Sequence, residues 1–357
     1  MHKKSRSMIH TIVTYIATVI LALIIGAVLI LLSGNNPADA YSALFLGAFS
    51  STNRLSELFV KLIPVMVMSL GVSVAFRAQI WNIGAGGQFI MGAIASTAVA
   101  LYVPLPKYIL LPLSIIVAMV VGGAWGTLAG FLKTKWKANE VITTLMLTYI
   151  ADYFLDYLMY GPMMDPAGEL PQSVAIAENL RLPKLISGYR IHSGIFIMII
   201  VLIAVIMLWR STLGFRIVLI GQGDRVSTYA GVNVSKSVIT TMFLSGAIAG
   251  LAGWMEVFGI HYRLMENLAG SYGDTATVVA LLGALNPIGI AFASFFFSIL
   301  LVGGASMQRM TNVPYSIVDI IQGLIILFII SAGALNQIKS FFKRKVFKDL
   351  NATGWES

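Results

Sequence analysis

Long apolar stretches separated by short polar segments run along almost the whole chain. Most of them approach or exceed 18 residues, and an α-helix of that length crosses the hydrocarbon core of a bilayer at about 1.5 Å per residue. We therefore predict an all-α, polytopic membrane protein with about ten transmembrane helices. The predicted spans are 9–32, 58–76, 83–103, 108–132, 140–160, 193–209, 238–260, 274–286, 288–307 and 315–334.

The order of these spans predicts two inverted-repeat-like halves. Spans 2–5 and 7–10 cross the membrane in opposite directions, and each half contains a glycine-broken stretch, "NIGAGGQF" in the first and "VVALLGALNPIG" in the second. We predict a single transmembrane domain over residues 1–357. Its parts are a first anchor helix (9–32), a first repeat half (58–160), an external cap loop (161–192), a cytoplasmic loop (210–237), a second repeat half (238–334) and a basic cytoplasmic tail (335–357).

Composition agrees with this class and adds an orientation. Of the 357 residues 58% are hydrophobic and 11% charged, and the mean hydropathy is +0.86, outside the range of ordinary soluble domains. The net charge of +9 comes from short basic clusters between apolar stretches, so nucleic acid is not an expected partner. Because about two thirds of the Lys and Arg residues fall on one side, both termini are predicted to be cytoplasmic.

The first apolar run and the two larger loops each support a specific prediction. Residues 9–32 are too long for the apolar core of a signal peptide, so we expect a retained anchor. Four prolines in 161–192 indicate a structured cap rather than a linker. Within 210–237 we expect a short helix near Arg225 to Ala230 that ends at Gly231. We interpret this helix as a docking element.

The stretch "RAQIWNIGAGGQFIMGAIAS" (77–96) combines polar side chains with four glycines. Non-helical backbone at membrane depth survives only where protein or water satisfies its polar groups. The glycines therefore suggest close helix contact and a re-entrant or broken start of the third span. Asn82 and Gln88 would face protein or water rather than lipid. The alternative is that the glycines only allow two helices to approach.

Acidic residues within the spans are the second polar signal. A charge at membrane depth is costly unless it faces a cavity or a partner. Asp152, Asp156 and Glu256 are predicted in the outer half of their spans, and the first two share a helix face at i and i+4. Together they indicate a polar vestibule that opens outward. Asp274 and Asp319 lie near the outer ends of their spans, where contact with headgroup water is the simpler explanation.

Catalytic motifs are missing from the sequence. There is no G-x-x-x-x-G-K-[ST] phosphate loop, no set of residues with metal-ligand spacing and no plausible Ser-His-acid arrangement. The chain also has no cysteine. We therefore expect neither an enzyme nor a cofactor or metal site, and any ATP hydrolysis would need a separate subunit.

Four stretches carry a family resemblance: "FRAQIWNIGAGGQFIMGA", "NEVITTLMLTYIA", "STYAGVNVSKSVITTMFLSGAIAGLAG" and "VVALLGALNPIGI". In this order they resemble the permease subunits of bacterial ABC importers of the branched-chain amino acid and ribose type. The closest resemblance is to the nucleoside-uptake branch, whose importers work with a basic-membrane-protein type lipoprotein. The chain departs from the family pattern where Gly86 replaces a Glu, Gln79 a Gly and Thr148 an Asn.

The resemblance implies the permease subunit of an importer in the bacterial cell membrane, forming the path for a small polar solute, with nucleosides expected first. A sugar or a branched-chain amino acid would use the same machinery. An ion-coupled secondary transporter and a membrane scaffold without transport are competing hypotheses. The implied partners are ABC ATPase subunits, a second permease subunit that is either a paralogue or another copy, a substrate-binding lipoprotein and membrane lipid.

Two sets of site residues follow, and neither includes a catalytic or metal-binding residue. Small polar side chains, an aromatic side chain for a flat base and two acids are predicted to line the path: Asn82, Gln88, Phe89, Thr143, Thr144, Thr148, Asp152 and Glu256. By resemblance, residues of a coupling helix in the 210–237 loop would contact the ATPase: Asp224, Arg225, Tyr229, Ala230 and Gly231.

Overall fold

The computed structural model describes residues 2–325, 327, 328 and 331, with side chains from residue 16 onward. Within these residues the regular structure is helical, apart from three isolated β-bridges. The chain divides into two compact units, one of residues 1–43 and 307–357 and the other of residues 44–306. The second unit contains every residue of the candidate site.

Thirteen α-helices lie within the described residues. They are α1 (His2–Leu32), α2 (Pro37–Phe49), α3 (Thr52–Arg77), α4 (Ala85–Tyr102), α5 (Lys107–Trp136), α6 (Glu140–Met159), α7 (Gly194–Leu208), α8 (Thr212–Gly221), α9 (Asp224–Tyr229), α10 (Val234–Glu256), α11 (Tyr272–Leu282), α12 (Pro287–Thr311) and α13 (Ser316–Ile325). A 3₁₀ turn occupies Glu178–Leu180, and a π-helix, Val257–His261, continues α10.

Six of the described helices are long and apolar enough to cross a membrane: α3, α4, α5, α6, α12 and α10 with its π-helix. A seventh span results if α7 and α8, which meet at a bend of 72°, are taken as one. A helix lies at each of the ten predicted positions, but α11 has only 11 residues. The described apolar parts of α1 and α13, Ile16–Leu32 and Ser316–Ile325, are also short.

Some of the predicted features extend beyond the described part of the chain. The tenth predicted span, 315–334, lies partly outside it, and the basic tail at 335–357 lies wholly outside it. The number of spans, the inverted relation of the two halves and the side on which the termini lie therefore remain predictions. The helix α2 was not predicted, because its 13 residues are too few to give a spanning signal.

Local sequence accounts for several helix ends. The side chains of Ser51, Asn139 and Asn233 precede α3, α6 and α10, and each accepts a hydrogen bond from a backbone N–H of the first turn. The helix α5 ends at Lys137, which adopts the left-handed conformation with φ 57°. These caps place α6 directly after α5 through a turn of three residues.

The helix α3 lies at the centre of the second unit. It is buried along most of its length and contacts α7, α10 and α11. Of its apolar stretch, 89% is buried inside the protein. A helix that is apolar on all sides is stable in this position because protein surrounds it on all sides.

Glycines bring α4, α5 and α10 into close contact with one another. A Cβ atom on Gly122 would lie 2.6 Å from the carbonyl oxygen of Gly246, and one on Gly92 would overlap the backbone of Gly250. Such small-residue contacts let helix backbones approach closely, as is common within membranes. In the other unit, Gly26 of α1 leaves room for the side chains of Tyr41 and Ile321, which a Cβ atom would overlap.

Candidate functional site

The site begins at the non-helical segment Ala78–Gly84 that joins α3 to α4, within the glycine-rich stretch singled out from the sequence. Asn82 and Gln88 are both buried there and bond to each other. The Asn82 amide nitrogen donates to Gln88 Oε1 at 3.0 Å, and the Gln88 amide nitrogen donates to Asn82 Oδ1 at 3.0 Å. We call them the carboxamide pair.

Asn82 makes two more bonds that fix this segment. Its amide nitrogen donates to the Ser245 hydroxyl of α10 at 2.9 Å, and its Oδ1 accepts the backbone N–H of Gly84 at 3.1 Å. The Asn82 carboxamide and the Gly84 N–H are therefore satisfied by protein, as polar groups of non-helical backbone at membrane depth require.

The start of α4 packs directly on α6. A Cβ atom on Gly84 would lie 2.8 Å from the Thr144 carbonyl oxygen, and one on Gly87 would lie 2.7 Å from Thr148 Cα. The backbone N–H of Ile83 donates to the Thr144 hydroxyl at 3.3 Å. These glycines thus serve helix contact, and they set α4 and α6 on two sides of one cavity.

This cavity has a volume of about 360 Å³ and lies between the start of α4, the outer face of α6 and the segment that leads into α11. We call it the acidic cavity, because four carboxylates reach it. Its lining comprises Ile83, Gly86, Leu145, Thr148, Tyr149, Asp152, Asp156, Glu266, Asn267, Ala269, Gly270, Gly273 and Asp274.

Gly86 and Thr148 lie next to each other in the wall of this cavity. A Cβ atom on Gly86 would lie 3.5 Å from the Thr148 methyl carbon and 3.9 Å from Gly273 Cα, both ordinary contacts. A larger side chain at Gly86 would thus extend into the cavity. The glycine therefore keeps this space open.

The carboxylates come from three different elements. Asp152 and Asp156 are half-buried on adjacent turns of α6, and Asp274 lies in the first turn of α11. Glu266 accepts a hydrogen bond of 2.9 Å from the Tyr160 hydroxyl at the end of α6. The cavity therefore presents mainly acceptors to a solute.

Only part of the predicted path set lines this cavity. Thr148 and Asp152 do, whereas Asn82, Gln88, Phe89, Thr143, Thr144 and Glu256 do not. The Thr143 and Thr144 hydroxyls donate to backbone carbonyls of their own helix region, at 3.1 Å and 2.7 Å. Glu266, Asn267 and Tyr149 were not predicted, and the first two lie in a loop without any periodic signal. Asp156 was recognisable by its i+4 spacing from Asp152.

Glu256 belongs to a separate buried network. It is 3% exposed, and its Oε1 lies 3.2 Å from the Tyr272 hydroxyl that donates to it and 3.3 Å from His261 Nε2. Lys61 of α3 in turn donates to the Tyr272 oxygen at 2.8 Å. Phe89 is fully buried, with its ring centroid 6.1 Å from that of Tyr272. The network ties α3, α10 and α11 together.

The cap loop is anchored to the π-helix region by its backbone. The Ile176 and Leu182 N–H groups donate to the carbonyls of Tyr262 and Phe258 at 2.7 and 2.8 Å. At the end of the loop, His192 is buried, and its Nδ1 accepts the backbone N–H of Gly194 at 3.1 Å. Burial lowers the pKa of His192 to about 4, and this exceeds the opposing effect of the Glu256 charge.

The segment predicted to hold a coupling helix does contain a short helix. It is α9, flanked by Gly223 with φ 117° and Gly231 with φ 72°, both backbone conformations that favour glycine. Asp224, Arg225 and Ala230 are exposed, and Tyr229 is 93% exposed. So large an exposed aromatic side chain has no packing role within the described chain. This makes α9 a candidate contact surface for a partner.

Comparison with known proteins identifies relatives over most of the chain. Residues 54–330 match the family described as branched-chain amino acid transport system, permease component. The chain is 35% identical to the guanosine ABC transporter permease protein NupP of Bacillus subtilis, over 94% of this chain and 97% of that protein. It is 34% identical to the glucose ABC transporter permease protein TsgB13 of Haloferax volcanii, over 93% and 88%.

A third relative is the nucleoside ABC transporter permease protein NupB of Lactococcus lactis subsp. cremoris. It is 31% identical, over 92% of this chain and 92% of that protein. No solved structure matches the chain.

Proposed function

The chain belongs to the family of branched-chain amino acid transport system permease components, and we propose that it forms the path by which an ABC importer takes up nucleosides. It is a multi-pass membrane protein and a transport subunit. The observation that carries the choice of solute is the acidic cavity, with its four carboxylates, the Thr148 hydroxyl and the open space at Gly86.

The chemistry of the cavity suits a neutral solute with many donors. A nucleoside carries ribose hydroxyls and base N–H groups, and ionised carboxylates accept hydrogen bonds from both without a proton of their own. The volume of about 360 Å³ lies at the lower end of the range of about 300–1,000 Å³ for small-molecule sites. Relatives named for guanosine and for nucleosides support this choice.

A sugar is the second candidate. One relative is named for glucose, and a hexose presents the same hydroxyl donors without a base. The distinction lies in whether an aromatic ring is also bound. Tyr149 is the aromatic side chain on the cavity wall, and stacking on it would favour a nucleoside over a sugar.

A second permease subunit would complete the path along α6. This helix carries two half-buried aspartates, yet much of its remaining surface is exposed and apolar, including Ile150 and Tyr153. Lipid tolerates the apolar side chains but does not solvate the aspartates. We therefore place another permease, either a paralogue or a copy of this chain, against α6, with the acidic cavity between them.

Family membership implies an ATPase and a substrate-binding protein as partners. We propose that α9 contacts the ATPase and that a lipoprotein delivers the solute to the face that carries the cap loop. In this arrangement about ten spans in two inverted halves cross a bacterial cell membrane, with both termini cytoplasmic. The bias of basic residues supports this orientation.

Uptake by the reconstituted importer tests the proposal. Proteoliposomes with the permeases, ATPase and receptor should accumulate labelled uridine in an ATP-dependent manner, and unlabelled nucleosides should compete, while ribose, glucose and leucine should not. Gly86→Leu should reduce uptake strongly because it fills the cavity, whereas Gly323→Leu, at an exposed site with no atom of the described residues within 4 Å, should not.

Other results would overturn specific parts of this proposal. Competition by glucose alone would show that the solute is a sugar, and competition by leucine alone would show that it is a branched-chain amino acid. ATP-independent uptake that stops when an ion gradient is dissipated would identify a secondary transporter. Normal uptake by the Gly86→Leu variant would show that the solute does not pass through the acidic cavity.

A further inference from the structure

The helix α8 turns away from α7 by 72° directly after an apolar helix of 15 residues. If α7 runs along the membrane normal, α8 therefore lies close to the membrane plane. Its Ile217 and Ile220 are buried against the protein, while Phe215 is 62% exposed. A short amphipathic helix with an exposed aromatic side chain is typical of the interface between headgroups and acyl chains.

A basic pocket of about 560 Å³ lies beside α8. We use this name for the space between α8, the residues that follow α9 and the first turns of α10. Its charged groups are Arg216 and Lys236, both exposed, and no carboxylate lines it. Neither cation forms an ion pair with any residue that the structure describes. Asn233, Ser237 and Thr240 add polar groups, and Leu213 and Ile217 provide an apolar wall.

We propose that the basic pocket binds the phosphate headgroup of an anionic phospholipid from the adjoining leaflet. Each of the two unpaired cations can contact one of the two charged oxygens of a phosphate diester, and the Ser237 hydroxyl and the Asn233 amide can donate to the same oxygens. The acyl chains would lie along the apolar wall and beside Phe215, at the level where α8 meets the bilayer. Charge, apolar lining and interfacial position thus all fit the same ligand.

The basic pocket also adjoins α9, so a lipid in it can affect the coupling between ATP hydrolysis and uptake. This part of the proposal rests on the proposed function of α9 as the contact with the ATPase. Gly231 and Val232, which follow α9, line the pocket, and the Val232 N–H donates to the Ser227 carbonyl of α9 at 2.9 Å. A lipid bound there contacts the segment that holds α9 in place. Anionic lipid should therefore strengthen the coupling between ATP hydrolysis and uptake.

An acidic surface of the ATPase is the competing occupant. The lipid is favoured because Arg216 directly follows the exposed Phe215 on a helix that bends away from α7 by 72°. A soluble partner would leave Phe215 in water, whereas a bilayer buries it.

The test measures lipid binding directly. The purified full-length chain in neutral detergent is titrated with dioleoylphosphatidylglycerol or dioleoylphosphatidylcholine, and native mass spectrometry counts the lipid adducts. We expect the wild type to prefer the anionic lipid and Arg216→Gln/Lys236→Gln to lose at least about tenfold of that preference, since each basic residue contributes about fivefold. Arg216→Lys/Lys236→Arg, which keeps the charges, should retain it.

A matched control removes two positive charges elsewhere: Arg54→Gln/Arg309→Gln, outside the basic pocket, should leave the preference unchanged. If the Gln variant of the basic pocket keeps the wild-type preference, the proposal is wrong. If it keeps lipid binding but no longer co-purifies with the ATPase, the pocket is a protein contact instead. Because lipid counting needs no transport, its outcome is independent of whether the proposed solute and importer are correct.

Discussion

Asn82 and Gln88 bond to each other through both ends of their carboxamides, with 3.0 Å in each direction. The two residues are six apart and lie on either side of the start of α4, so the pair closes the broken segment onto the helix. Asn82 alone also reaches Ser245 and the backbone of Gly84. Asn82 therefore holds the broken segment through more hydrogen bonds than Gln88 does.

We predict that Asn82→Leu destabilises the protein more than Gln88→Leu. The first leaves the whole Gln88 amide and the Gly84 N–H without their partners, at about 2–4 kcal/mol, while the second leaves Asn82 with two partners, at about 1 kcal/mol. Thermal unfolding in detergent measures both. The double variant should cost less than the sum, because a second change removes groups that the first left unpaired. Equal effects of the two single variants would contradict this ranking.

Gly92→Ala should destabilise the contact between α4 and α10. The added methyl group would overlap the Gly250 backbone, which cannot rotate away as a side chain can. We expect a cost of about 1–3 kcal/mol, seen as a lower midpoint of thermal unfolding. Gly323→Ala is the control: among the residues that the structure describes, no atom lies within 4 Å of the added methyl group, so the midpoint should not fall.

Asp152→Asn and Asp156→Asn test the acidic cavity without changing side-chain size. Each replaces an ionised acceptor by a neutral amide, so each should reduce uptake of labelled nucleoside by about tenfold while ATPase binding stays normal. Glu169→Gln, an exposed carboxylate of the cap loop outside the lining, serves as the control. Normal uptake by both aspartate variants would show that these carboxylates do not contact the solute on its path.

Tyr229→Ala should uncouple the importer. The side chain is 93% exposed, so its loss should change the free energy of unfolding by no more than about 0.5 kcal/mol. We expect much less ATPase to co-purify and uptake to fall with it. Tyr108→Ala removes a tyrosine that is 82% exposed at the start of α5, and it should affect neither measurement.

Stability should depend on pH through His192. Its pKa is about 4 in the folded protein and near 6.5 in an unfolded chain, so the unfolded state takes up the proton first. Above about pH 6.5 both states are neutral and this residue has no effect. Between about pH 6.5 and 4 we expect up to about 3 kcal/mol to be lost.

The pH prediction is checked by thermal unfolding at several pH values. His192→Asn keeps an acceptor for the Gly194 N–H but does not titrate, so this variant should show a smaller loss over the same pH window. An identical pH profile for the variant and the wild type would show that another group is responsible.

The sequence alone determined the membrane class, the family and most helix positions. Apolar stretches long enough to span a bilayer are a local property, and so are the glycines and asparagines that begin and end helices, including the short helix before Gly231. The absence of a phosphate-loop motif was likewise visible in the sequence. These features depend on neighbours within a turn or two of the chain.

Only the tertiary structure decided which polar residues meet. Asn82 and Gln88 were predicted to line the path, and the fold makes each the other's hydrogen-bond partner, while Glu266 and Asn267 reach the acidic cavity from a loop. Glu256 was recognised as an unusual acid, yet the hydroxyl that donates to it comes from another helix. A buried polar group pairs with a donor or acceptor that the packing of the helices brings next to it. The hydropathy of the sequence does not indicate which group that is.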